Sequence, residues 1–178
     1  MDDDLIAWAR LLGERVAALQ AGLISTAESC TGGLIAAVLT ETAGSSSWFS
    51  RGYVTYANQA KIDMLRVQPQ TLDTEGAVSQ AVAAQMARGA LQGSDVLLSL
   101  AVTGIAGPGG GTPEKPVGTV CFGWGLRWPV GTAEPLVLTD TQHFAGGRDD
   151  IRRQTALHAL QRALQLIDQQ VQDQPVLV

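Results

Sequence analysis

Residues 26–33, Thr-Ala-Glu-Ser-Cys-Thr-Gly-Gly, bring hydroxyls, a thiol, a carboxylate and two glycines together in one short segment. An apolar stretch typical of a strand precedes them and a run of helical character follows, so they predict a strand-to-helix turn. Backbone N–H groups gather at such a turn and favour a phosphate or a developing oxyanion. Ser and Thr are also favoured helix caps, and a cap without chemistry is the simpler interpretation of this segment alone.

Ser29 is one candidate nucleophile of this segment. Cys30 beside it is an alternative, but a small residue in a tight turn usually packs. A histidine triad would need His143 or His158, which fall late in a strand and in mid-helix, and Ser29 has no G-x-S-x-G context.

A lysine is then the remaining candidate base. The chain has only Lys61 and Lys115, and the sequence Glu114-Lys115-Pro116 is typical of a solvated loop. Lys61 is therefore the better candidate, and it can act only if desolvation or a neighbouring charge lowers its pKa.

Hydrophobic periodicity and turn signals predict the order of elements that must position these groups. Asn58 is expected to cap the third helix, residues 68–71 to form a turn and residues 128–131 to join two strands. The predicted elements are helices at residues 2–20, 33–40, 59–66, 79–93 and from 149 onward, and strands at 23–26, 51–56, 95–103, 117–124 and 135–144.

Strands that alternate with helices predict a single α/β domain over residues 1–178, with a frayed tail at about 170–178. The fold class is a three-layer α/β/α sandwich with a mixed, mostly parallel sheet of about five strands. Ligands of such sheets bind beyond the carboxyl ends of the strands. Residues 28–33, 56–61 and 103–111 meet this condition and predict a shared crevice.

Composition excludes several classes of function. The formal net charge is −5 and the sequence pI is about 4.9, which argues against nucleic acid and membrane surfaces as partners. No apolar run approaches a membrane span, and the acidic start differs from a secretory signal, so a cytoplasmic protein is expected. Two distant cysteines support neither a disulfide framework nor a cysteine-built metal site. No metal or cofactor is expected.

Standard phosphate-binding motifs are missing: neither G-x-x-x-x-G-K-[ST] nor G-x-G-x-x-G follows the first strand. A nucleotide kinase or a dinucleotide-binding fold is therefore disfavoured. A phosphate would need local donors in this acidic protein.

Seven segments, in order along nearly the whole chain, resemble the CinA C-terminal domain family. They are residues 27–33, 43–46, 52–61, 76–79, 103–108, 115–120 and 147–149. The resemblance implies the three-layer fold and the deamidation of nicotinamide mononucleotide to nicotinic acid mononucleotide and ammonia. Longer family members carry an extra N-terminal domain, so a stand-alone amidohydrolase form is expected here.

The resemblance also implies roles for individual residues. Ser29 would be the nucleophile and Lys61 the base, with Tyr56 hydrogen-bonding between them and Thr103 assisting. Substrate contacts are expected from Glu28, Cys30, Thr31, Gly32, Gly33, Gly104 and Arg148.

Several alternatives stay open at this stage. Tyr56 fits packing at a strand end, Thr103 fits a loop cap, and Glu28 fits either a substrate contact or a carboxylate that orients the turn. Arg152 or Arg153 could replace Arg148 on the phosphate. The alternative function is a catalytically silent nucleotide-binding or partner-binding domain linked to competence or DNA damage. The oligomeric state is open, with a homodimer as the expectation.

Overall fold

The computed structural model describes residues 2–93, 95–128 and 134–173. None of its helices in these ranges is long and apolar enough to cross a membrane. The helices are α1 (Asp3–Leu19), α2 (Leu34–Thr40), α3 (Asn58–Leu65), α4 (Pro69–Glu75), α5 (Gln80–Ala90) and α6 (Arg148–Asp173). The strands are β1 (Leu23–Glu28), β2 (Phe49–Val54), β3 (Val96–Gly104), β4 (Thr119–Leu126) and β5 (Leu136–His143), with a 3₁₀ turn at Ser45–Ser47.

The five strands form one mixed sheet in the order β2-β1-β3-β4-β5. Strand β1 pairs in parallel with both β2 and β3, whereas β4 runs antiparallel to β3 and β5. The prediction of a mixed, mostly parallel sheet of about five strands is therefore confirmed.

Helices cover both faces of the sheet, which explains why its central strands are apolar. On one face α1, α2 and α6 pack around Leu12, Val38 and Leu160, none of which is exposed. On the other face α3, α4 and α5 pack around Leu65 and Met86. Strand β3 lies between these layers, and its first eight residues are all buried.

Glycines in β4 permit a close approach of helix α5. A Cβ atom at Gly123 would lie 2.3 Å from the carbonyl oxygen of Ala83, and one at Gly125 would lie 2.8 Å from Cδ1 of Leu91, just after α5. A glycine inside a strand either weakens the strand or marks the close approach of another backbone. The second interpretation is correct.

The connections after β1 and β2 leave the sheet toward opposite faces. Helix α2 follows β1 on one face, and α3 follows β2 on the other. A crevice opens between neighbouring parallel strands whose connections diverge in this way. The topology thus places the turn after β1 opposite the start of α3.

Local predictions were wrong at three places. Residues 68–71 do not form an isolated turn, because Pro69 starts α4 at the first helical position, where its missing N–H costs nothing. Asn58 is the first residue of α3 rather than its cap, and Ala57 holds the cap position. Residues 170–173 belong to α6 instead of a frayed tail. Residues 129–131 and 174–178 lie outside the described residues.

Candidate active site

A cavity of about 220 Å³ lies at the carboxyl ends of β1, β2 and β3. The three segments predicted to share a crevice all contribute to it. Its lining residues are Ser29, Cys30, Tyr56, Asn58, Lys61, Ala77, Val78, Thr103, Gly104, Ala106 and Arg148.

Ser29 and Lys61 meet in this cavity from opposite walls. Ser29 directly follows β1, and Lys61 lies in the first turn of α3. The Lys61 Nζ atom lies 3.2 Å from Ser29 Oγ. This distance is within reach of proton transfer between a nucleophile and its base.

Lys61 is buried without a carboxylate partner. Its side chain is 1% exposed, and Nζ donates to the carbonyl oxygens of Thr55 at 2.7 Å and Tyr56 at 3.4 Å. Within the described ranges it forms no ion pair. Desolvation lowers the pKa of Lys61 below its ordinary value of 10.5, because burial disfavours the ammonium form.

Contacts around Lys61 also orient its amine. A neutral amine has two N–H bonds and one lone pair, so two hydrogens can go to the carbonyls of Thr55 and Tyr56. The lone pair is then available to the Ser29 hydroxyl. The geometry therefore suits a neutral lysine that accepts the serine proton.

Glu28 lies beneath the turn and does not line the cavity. Its side chain has no exposed surface, and its carboxylate accepts hydrogen bonds from the Thr31 hydroxyl at 2.7 Å and the Gly33 N–H at 3.1 Å. The N–H groups of Ile35 and Ala36 donate to it at 3.0 and 2.8 Å. Of its two open interpretations, the orienting carboxylate fits this arrangement, and a substrate contact does not.

These bonds determine which N–H groups of the turn stay available. Gly33 donates to Glu28, and Gly32 donates to the carbonyl oxygen of Ser29 at 3.0 Å. The φ angles of Gly32 and Gly33 are positive, 60° and 94°, which glycine adopts without the strain of a side chain. In the described part of the chain, the N–H groups of Cys30 and Thr31 donate to no oxygen, and the acceptor that they face is the weakly accepting Cys30 sulfur. The N–H groups of Gly32 and Gly33 are therefore used within the turn, and those of Cys30 and Thr31 are the ones left for a ligand.

Cys30 is a poor competitor for the nucleophile's role. Burial raises the pKa of its thiol to about 12, despite opposing hydrogen bonds from the backbone. The thiol is thus protonated at neutral pH, and a thiol is a much weaker nucleophile than a thiolate. This favours Ser29 over Cys30.

Tyr56 differs from its prediction. Its side chain is 60% exposed, and its hydroxyl accepts a hydrogen bond from Arg148 at 2.9 Å instead of bridging Ser29 and Lys61. Only its main-chain carbonyl faces Lys61. Tyr56 follows the end of β2, an edge strand, so no neighbouring strand covers its ring.

The three arginines near the start of α6 have separate environments. Arg148 lines the cavity and donates to the neutral oxygens of Gly107 and Tyr56. Arg152 donates to the Thr31 carbonyl at 2.8 Å, and Arg153 pairs with Asp2 at the start of α1. Of these three arginines, Arg148 is the one that lines the cavity. It is also the arginine that the sequence analysis named as a substrate contact.

Thr103 holds in place the wall of the cavity that the α4–α5 connection forms. Its buried hydroxyl donates to the Ala77 carbonyl at 2.8 Å and so holds the α4–α5 connection against β3. Gly104 follows, and a Cβ there would lie 2.7 Å from Val120 Cγ2. Gly104 thus lets β3 approach β4 closely at the cavity wall.

Sequence reasoning missed Ala77 and Val78 as lining residues, and it gave Asn58 only a capping role. The rule based on strand ends does not select Ala77 or Val78, because they lie between two helices. Their only sequence signal is the 76–79 segment of the family resemblance. The remaining polar candidates lie outside the cavity: His143 contacts Thr119, His158 contacts Asp140, and Lys115 donates to the Glu75 carbonyl.

Comparisons with known proteins agree with this fold. "Nicotinamide-nucleotide amidohydrolase PncC" of Escherichia coli (strain K12) is 44% identical over 160 residues, 90% of this chain and 93% of that protein. "CinA-like protein" of Mycolicibacterium gilvum is 51% identical over 158 residues, 86% of this chain but 36% of that protein. The chain thus spans about a third of the length of such longer relatives.

A solved structure and a family model support the same assignment. The crystal structure of competence/damage inducible protein CihA from Agrobacterium tumefaciens has a TM-score of 0.85 and 47% identity, covering 93% of this chain and 96% of that one. The family model described as the CinA C-terminal domain matches residues 9–167. The chain therefore belongs to the CinA C-terminal domain family.

Proposed function

We propose that this protein hydrolyses the carboxamide of nicotinamide mononucleotide to nicotinic acid mononucleotide and ammonia, without a metal ion. The observation that carries the proposal is the Ser29–Lys61 pair, 3.2 Å apart in a cavity at the carboxyl edge of the sheet. The substrate comes from the name of the 44%-identical relative, "Nicotinamide-nucleotide amidohydrolase PncC".

Acylation begins with attack of Ser29 Oγ on the carboxamide carbon while Lys61 takes the serine proton. The negative charge that develops on the carbonyl oxygen is stabilised by the N–H groups of Cys30 and Thr31. When the tetrahedral intermediate collapses, the C–N bond breaks and the Lys61 ammonium protonates the leaving nitrogen. Ammonia departs, and Ser29 carries the acyl group.

Deacylation uses the same groups in reverse. Lys61, again neutral, takes a proton from water, and the water oxygen attacks the ester carbon. The bond to Ser29 Oγ breaks, the proton on Lys61 returns to the serine, and the carboxylic acid leaves. Each cycle consumes one water and restores both residues. Nucleophile and base are both side chains of this chain, so turnover is expected to persist in EDTA.

Arg148 is the proposed ligand of the 5′-phosphate. Its guanidinium donates to two neutral oxygens, and it forms no ion pair with any described carboxylate. A phosphate can replace these acceptors with charge-assisted hydrogen bonds, which are stronger. Arg152 and Arg153 are less suited, since they already contact Thr31, Asp2 and Asp4.

The test is release of ammonia from nicotinamide mononucleotide in the presence of EDTA. We expect stoichiometric ammonia and nicotinic acid mononucleotide, with initial rates proportional to enzyme concentration. No release at any enzyme concentration would overturn the proposal and favour a silent binding domain. Turnover that EDTA abolishes and a divalent metal restores would refute the metal-independent mechanism while sparing the function.

A further inference from the structure

Glu28 is a buried ionisable group to which the mechanism above gives no step. It ends β1, has no exposed surface and forms no ion pair with any described cation. A buried carboxylate is costly unless hydrogen bonds satisfy its oxygens. Four hydrogen bonds do so here, and all four donors lie within the next eight residues of the chain.

The two carboxylate oxygens divide these donors between them. Oε2 accepts from the Thr31 hydroxyl and the N–H groups of Gly33 and Ile35, whereas Oε1 accepts from Ala36. The carboxylate therefore ties the end of β1 to the first turn of α2. Ser29, Cys30 and Thr31 lie in the loop that these bonds close.

We propose that Glu28 is a positioning residue, which closes this loop so that Ser29 Oγ and the Cys30 and Thr31 N–H groups converge on one carbonyl. The inference rests on the proposed function, since it assigns these groups to acyl transfer. Glu28 itself touches no substrate. Its negative charge satisfies the N–H groups at the start of α2, so those groups do not compete for the substrate's phosphate or oxyanion.

Only a carboxylate fits this arrangement, which makes Glu28→Gln an informative change. Both oxygens of Glu28 face donors, so the amide nitrogen of the introduced glutamine would face an N–H group in either orientation. One hydrogen bond becomes a repulsive contact while side-chain volume is kept. The loop is then expected to lose its fixed geometry without losing its place in the fold.

The experiment compares Glu28→Gln with Asp95→Asn, a carboxylate-to-amide change near the amino end of β3. Asp95 accepts from Ser50 and Arg51 and has no contact with the cavity. A fluorophosphonate first titrates active Ser29: the serine oxygen bonds to phosphorus, fluoride leaves, and Lys61 takes the serine proton. Rates per active site are thereby separated from loss of folded protein.

We expect Glu28→Gln to lower kcat per active site by about 10²-fold, the lower range for loss of an oxyanion-hole donor. KM should stay unchanged, as expected for an interaction made in the transition state. Asp95→Asn should lose thermal stability and keep kcat. A wild-type kcat in folded Glu28→Gln would overturn the proposal, and a raised KM alone would make Glu28 a substrate contact.

Thr31→Val tests the positioning role of Glu28 if Glu28→Gln does not fold. This change removes one hydrogen bond to the carboxylate and keeps side-chain volume and the main-chain N–H. Loss of a hydrogen bond to a charged group predicts a fall in kcat on the order of tenfold, again at constant KM. An unchanged kcat would contradict the inference.

The same variants separate this inference from the proposed function. If the wild-type protein releases no ammonia, the proposed function fails, and the rate at which fluorophosphonate labels Ser29 becomes the readout. That reaction also develops negative charge on an oxygen beside Ser29. Slower labelling of Glu28→Gln or Thr31→Val would support the positioning role, and labelling at the wild-type rate would overturn it.

Discussion

The two ends of the sheet hold their charged groups in opposite ways. Near the amino ends of the strands, Arg51 and Asp95 form an ion pair at 2.8 Å, with side chains 39% and 42% exposed. At the carboxyl ends, Glu28 and Lys61 are buried, and neither forms an ion pair with a described residue. One end pairs its opposite charges in contact with water, and the other holds two ionisable groups apart and away from water.

This difference shows where stability and chemistry lie in the molecule. A solvated ion pair adds little to folding and has no reactive group to offer. A buried lysine without a counter-ion costs stability, but its lowered pKa makes it a usable base. We therefore expect substitutions at the carboxyl end to affect turnover and those at the amino end to affect stability.

The largest effect is expected for Ser29→Ala. This change removes the nucleophile, and kcat should fall by about 10⁴-fold or more, as in serine hydrolases that lose theirs. Ammonia release measures the loss, and a melting curve verifies the fold. Turnover close to the wild-type rate would refute the covalent mechanism while leaving the proposed substrate intact.

Lys61→Met should lower kcat by at least about 10²-fold, the lower range for removal of a general base. Lys115→Met is the matched control, because the only other lysine lies outside the active-site cavity. Its kcat should equal that of the wild type. A Lys61→Met enzyme of normal activity would assign the base to another group.

Lys61 should also change how stability depends on pH. Its pKa is lowered in the folded state, so the unfolded state binds the extra proton and the wild type gains stability as pH rises from that pKa toward 10.5. The Tm of Lys61→Met relative to wild type should therefore fall over this range. A difference that does not change with pH would indicate that Lys61 has an ordinary pKa.

Arg148→Gln should act mainly on binding of the phosphate. KM for nicotinamide mononucleotide should rise by roughly 10- to 100-fold, since hydrogen bonds to charged groups contribute about 1.5–3 kcal/mol. Nicotinamide riboside, which has no phosphate, is the control substrate. Its KM should be the same for Arg148→Gln and the wild type. Equal effects on both substrates would place the phosphate elsewhere.

The smallest effect is expected for Asp95→Asn at the amino end. Loss of an exposed ion pair should lower the free energy of unfolding by no more than about 1 kcal/mol. Denaturant unfolding measures this change, and kcat should be unaffected. A strong loss of turnover would remove the distinction between the two ends of the sheet.

Sequence reasoning predicted the five strands, five of the six described helices and three walls of the site, because apolar periodicity and turn signals are local. Apolar runs locate the strands, and the rule for strand ends selects Ser29, Lys61 and Thr103. The direction of the Tyr56 side chain could not be predicted, because it depends on β2 lying at the edge of the sheet. Ala77 enters the site through a contact with Thr103 that no pattern encodes.

The role of Glu28 shows the same limit of sequence patterns. A carboxylate before a glycine-rich turn fits both a ligand contact and an internal cap. Burial and four donors separate these interpretations, and both are properties of the folded chain. The structure likewise shows that the Gly32 and Gly33 N–H groups are used within the turn, which no sequence pattern indicates.

The central claim, that Lys61 is the buried base for Ser29, is tested most directly by titration of lysine side chains by NMR. The chain has two lysines, so ¹³Cε labelling gives two signals, and Lys115→Met assigns them. We predict that Lys61 titrates below 10.5 and that its midpoint matches the acid limb of kcat/KM. A Lys61 midpoint at or above 10.5, or an acid limb that persists unchanged in Lys61→Met, would contradict the account.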